Sequence, residues 1–92
     1  MSIDDKVFLV IMAPSAIRKE VARAMSQRTH VTLRVMGDDG ADEISFLVSA
    51  TGHTPSDHTL DLVTGVTDDG KYVQVNIPTT DTPTLAIRPT TQ

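Results

Sequence analysis

The chain has 92 residues, no cysteine and a formal net charge of −4. That length makes one domain with a thin core, covering about two thirds of the surface its unfolded chain would expose. Without cysteine, disulfides, thiolate chemistry and cysteine-held zinc are excluded together. Phe8, Phe46 and Tyr72 are the only aromatic residues, too few for the usual base-stacking platform or an aromatic ligand cage.

The residues from Met1 to Lys6 lack the positive charge of a signal peptide. No run reaches the roughly 20 apolar residues of a spanning helix. These features predict a soluble chain without membrane contact, in the cytoplasm or within a virus particle. Lys6 to Ala13 is then a continuous β-prone apolar run ending at Pro14, which reads as a strand covered on both faces. Val7, Leu9 and Ile11 point to one side, and Phe8, Val10 and Met12 to the other. One short helix can shield only one of those sides. Either the sheet curls around this strand or another subunit covers the second face.

Ser15 is the expected N-cap of an amphipathic helix over about 15–28. Ile17, Val21, Ala24 and Met25 fall on one side of it, and Lys19, Glu20, Arg23 and Gln27 on the other. The junction "APSAIRK" places free N–H groups at a helix start, where an anion can bind. It lacks the glycines of a nucleotide-binding turn, so it reads as a simple junction. Residues 15–36 hold Arg18, Lys19, Arg23, Arg28 and Arg34 against Glu20 alone, while the rest of the chain is acidic. The plain reading is a solvated helix face. The functional one is a docking patch for an anion or an acidic partner surface.

From His30 the period changes to two. Val31, Leu33 and Val35 alternate with Thr32 and Arg34, and "GDDGADE" reverses the chain. Ile44, Phe46, Val48 and Ala50 form the next face, with Leu47 breaking the polar side. The reversal has the composition of a calcium loop without its alternating acids or closing glutamate, so its acids read as solvated. "TGHTPSDHTLDL", residues 51–62, gathers His53, Asp57, His58 and Asp61. The two histidines are five apart, a third ligand is missing, and Thr54 to Asp57 is an ordinary turn with proline second. Ser56, Asp57 and His58 are consecutive, which points them apart rather than into a triad. The stretch reads as a turn.

Leu60, Leu62, Thr64 and Val66 form the next expected face. "TDDGK" then makes a hairpin with Gly70 in the left-handed position, and Val73, Val75 and Ile77 return to Pro78. The segment 79–92 is extended by its prolines and carries Leu85 and Ile87. It can be a last short strand, a mobile end, or an arm added to a neighbour's sheet.

The expected fold is α+β: a single domain over 1–78 with one helix and a mostly antiparallel, curled or barrel-like sheet of five to six strands. The extended segment 79–92 follows it. No catalytic grouping, metal site or cofactor is implied. The expected function is a non-catalytic protein-binding or assembly module, such as a virus-particle component or a small inhibitor of another protein. Its contacts are expected at Phe8, Val10, Met12, Leu85 and Ile87, with other protein chains or copies of itself as partners. The alternative is a nucleic-acid or phosphate-binding module using Arg18, Lys19, Arg23, Arg28 and Arg34, which the acidic bulk opposes.

Overall fold

A computed structural model describes residues 6–37, 39–79 and 81–89. Within them the chain forms β1 (Lys6–Val10), α1 (Pro14–Gln27), β2 (His30–Gly37), β3 (Gly40–His53), β4 (Leu60–Thr67), β5 (Tyr72–Asn76) and β6 (Thr84–Arg88). The six strands close into a barrel in chain order, every neighbouring pair antiparallel. The α+β expectation therefore holds in its barrel form. Closure is made by the seam between the first and last strands, with Phe8 opposite Leu85 and Leu9 opposite Thr84. Residues 84–88 are thus the last strand of this domain, and part of its wall.

Pro14 opens α1 rather than merely ending β1. Its fixed φ suits the first helical position, where a missing N–H costs nothing. The cap is Ala13, extended and without a side-chain bond, and the expected cap Ser15 lies inside the first turn. At the other end Arg28 takes a left-handed conformation, φ 55°. The Arg28 and Thr29 N–H groups bond to the carbonyls of Met25 (3.3 Å) and Ala24 (2.9 Å), the pairing of a Schellman motif. Glycine usually holds that position, and another residue there costs about 1–2 kcal/mol.

Ile17, Val21 and Ala24 are buried, but Met25 is 50% exposed. At 100° per residue it lies off the edge of the stripe that the other three define. The same edge carries Arg18, whose Nε donates to the Leu60 carbonyl (2.9 Å) and whose Nη2 donates to the Ile77 carbonyl (3.0 Å). These bonds tie the start of the helix to the mouth of the barrel where β4 begins and β5 ends.

On β2 the alternation is regular, with Val31, Leu33 and Val35 inside. β3 runs for 14 residues, longer than the expected strand, because register shifts after Val48 and Gly52 bend it around the barrel. Phe46 is its deepest residue. On β4 the inward face is Val63 and Gly65, whereas Val66 is exposed and Leu62 and Thr64 are half-buried. The expected Leu60–Val66 face is therefore turned outward, apart from Leu60, which packs against the core at the strand's start.

Gly65 explains that reversal. A Cβ built there would lie 2.4 Å from the Leu47 carbonyl oxygen and 2.5 Å from Cδ2 of Phe46. The Phe46 ring occupies the space that a side chain at 65 would need. Phe8 sits against Gly37 in a similar but looser way, with its Cε1 3.2 Å from a built Cβ. Gly65→Ala should therefore lower stability in a denaturant melt by at least about 1–3 kcal/mol, the usual cost of overpacking. Gly37→Ala meets only a ring edge and should cost clearly less. Equal losses would show that Gly65 does not set the Phe46 position.

Candidate functional site

Residues 54–59 connect β3 to β4 as a compact turn. Thr54 and Thr59 are joined by an N–H to carbonyl bond (2.8 Å), as are His58 and Thr54 (2.8 Å). His58 is left-handed, φ 60°. The Thr54 hydroxyl donates to the Asp61 carboxylate (2.7 Å), and the Thr59 N–H donates to the Asp57 carboxylate (3.0 Å). Hydrogen bonds from the Thr59 side chain and then its backbone hold the Asp57 carboxyl below the usual aspartate range. The Thr54, Asp57 and Asp61 side chains and the backbone of Thr54, His58 and Thr59 are thus engaged within the stretch, as an ordered turn requires.

His30 lies elsewhere, with Nε2 2.8 Å from the Asp68 carboxylate. Asp68 belongs to the β4–β5 hairpin, which closes as expected around Gly70, φ 88°. There the Lys71 N–H bonds to the Thr67 hydroxyl (2.9 Å), and that hydroxyl donates to the Asp69 carboxylate. This bond lowers the Asp69 pKa. Among the described residues, no three His, Asp or Glu side chains are placed to hold one ion.

The structure does not bring the five cations of the basic segment together. Arg18 is committed to two backbone carbonyls. Arg23 pairs with Glu20 (2.7 Å) and bonds to Gln27 (3.0 Å). Lys19 is exposed on the helix, Arg28 is exposed at its end, and Arg34 is exposed on β2 beside Glu43, its cross-strand partner. The segment is a helix anchor, an internal ion pair and three separate surface charges.

The expected contact residues are also placed differently. Val10 and Leu85 are core residues, 3% and 0% exposed, and Phe8, Met12 and Ile87 pack against that core. This corrects the choice of face on β1. Curling covers the side of Phe8, Val10 and Met12 and leaves the opposite side bare: Val7 is 67% exposed, Leu9 53% and Ile11 48%. Alternation alone shows that the strand has two apolar faces and does not say which one the barrel takes.

The large apolar side chains left exposed among the described residues fall into two patches. The first is Val7, Leu9 and Ile11 with Met36 of β2. Met36 is the cross-strand partner of Leu9, and the Ile11 N–H bonds to the Arg34 carbonyl (3.0 Å), so the four are contiguous. A groove of about 640 Å³ runs beside them, and Asp39 and Asp42 also line it. The second patch joins Leu47 and Val66, which are cross-strand partners, to Met25 at the helix end. Met25 and Leu47 line a smaller groove of about 270 Å³ together with Arg28.

No protein-family model, curated protein or solved structure matches this chain. Among the described residues, no helix is long and apolar enough to cross a membrane.

Two measurements check the electrostatic assignments. Arg18→Ala should destabilise the fold by about 1–2 kcal/mol, since it removes charge-assisted hydrogen bonds. Lys19→Ala should cost less than about 1 kcal/mol, as exposed charges do. The reverse order in thermal melts would mean that Arg18 is not an anchor. Asp57 and Asp69 are held below the ordinary range, so their contribution to stability is complete above about pH 4. It is lost as the pH falls through their lower folded values. The double variant Asp57→Asn, Asp69→Asn should show a flatter loss of stability as the pH falls below about 4; an unchanged slope would reject the assignment.

Proposed function

We propose that the chain is a non-catalytic module that works by binding other protein chains through the outer face of β1 and β2. The observation that carries this reading is the bare strip of Val7, Leu9, Ile11 and Met36 on a barrel whose interior is already filled. Burying such a side chain is worth about 1.5–3 kcal/mol, so four that stand 48–67% exposed leave several kcal/mol for an outside partner to recover. Contiguous apolar patches with a polar rim are characteristic of interaction sites. Asp39 and Asp42 supply part of that rim here, and Ala86 and Thr84 adjoin Val7 and Leu9 across the seam.

The nucleic-acid reading has less support. Two of its five cations, Arg18 and Arg23, are engaged within the fold. A surface of the proposed kind serves a particle component held by its neighbours, and equally a small inhibitor that occupies another protein.

Replacing Leu9 by Thr and Met36 by Gln together keeps strand-compatible polar side chains at the centre of the strip. That variant should melt close to the parent, because neither residue is in the core, yet lose association measured by light scattering and partner capture. Association equal to the parent's would reject the reading, and so would a salt-sensitive shift with RNA or DNA that survives the substitutions.

A further inference from the structure

We infer that the β1–β2 strip and its groove receive the Met25, Leu47 and Val66 patch of a second copy of this chain, so that each molecule binds one neighbour on each side. The inference rests on the protein-binding reading above and names the partner. Its first support is that the exposed large apolar side chains form two patches rather than one. A protein that only docked onto a single partner surface would have no use for the second.

The second support is charge. The acidic residues Asp39 and Asp42 line the first groove, and the basic residue Arg28 lines the second. Stacking the first patch on its own copy with like ends together would set carboxylates near carboxylates, and stacking the second on its own copy would set Arg28 near Arg28. Placing one patch on the other sets Arg28 against the two carboxylates, and complementary placement of this kind fixes the choice of partner. Arg34 stands apart from those carboxylates, at the Ile11 end of the strip and opposite Glu43 across the β2–β3 pair.

The third support is Arg28 itself. It occupies a left-handed position, φ 55°, where glycine would be relaxed. Strain of this sort is kept where the side chain is used. Contacts between unlike patches continue from molecule to molecule, making a ring if the rotation closes and a filament if it does not.

Complementation of two variants tests the inference. Leu9→Thr with Met36→Gln removes the first patch, and Leu47→Thr with Val66→Thr removes the second. The parent should self-associate and each variant alone should be monomeric. The two mixed should form dimers and nothing larger, because only one intact pair of patches remains between them. Arg28→Gly separates folding from contact: it should melt no lower than the parent, yet weaken association several-fold. Self-association of the second-patch variant to the parent's extent overturns the inference, as does a mixture that stays monomeric. A parent that remains monomeric at high concentration overturns it too. In that last case the protein-binding reading stands only if immobilised parent, and not the Leu9→Thr, Met36→Gln variant, retains a partner from the source.

Discussion

A closed barrel has one interior, and β1 carries large apolar side chains on two faces. The seam between β1 and β6 decides which face goes in, because it brings Phe8 opposite Leu85 and Val7 opposite Ala86. Leu85 is fully buried, so Phe8 and Val10 follow it inward, and Val7, Leu9 and Ile11 must face out. The filled core and the bare outer strip are therefore one consequence of the same pairing. A small barrel offers no second layer in which to place the leftover side chains, and α1 is already used at the mouth, through Arg18 and the buried stripe of Ile17, Val21 and Ala24.

Filling so narrow an interior with phenylalanine requires glycine opposite. Phe46 is accommodated by Gly65 on the neighbouring strand, and Phe8 by Gly37. Each ring lies over the glycine of the adjoining strand, where any side chain would crowd it. The register shifts of β3 after Val48 and Gly52 bend that strand around the barrel. Inward residues from all six strands can then meet as a single core with Ile17 and Val21 of the helix.

Much of this was legible from periodicity. The alternation of Val31, Leu33 and Val35, the return of Val73 and Val75, the left-handed Gly70 and the turn after His53 are local signals, and the structure keeps them. What sequence could not supply was long-range pairing. The inward face of β4 escapes the apolar alternation because its key residue, Gly65, has no side chain to register as apolar. Met25 was placed with the buried stripe because it adjoins Ala24 in sequence, although it stands off the stripe's edge. Arg18 looked like a surface charge because its acceptors, the Leu60 and Ile77 carbonyls, lie 42 and 59 residues away. The choice between the two faces of β1 needed the β6 register, which no local pattern of β1 contains.

The distribution of charge bears on how a protein with two bare patches avoids indiscriminate clustering. Apolar surface alone does not discriminate between partners, so the rim must do so. The chain is acidic overall, and at long range copies repel one another whatever their orientation. At short range, the proposed contact relieves that repulsion by setting Arg28 against carboxylates. The acids of the β2–β3 hairpin lie beside the first patch, and Arg28 stands beside the second. The proposed pairing of unlike patches thus joins apolar burial to charge pairing, whereas stacking like patches with like ends together would bury apolar area against like charges. In the proposed contact Asp39 and Asp42, which by sequence read as simple solvating residues, take a second physical role and orient the neighbouring copy through its Arg28.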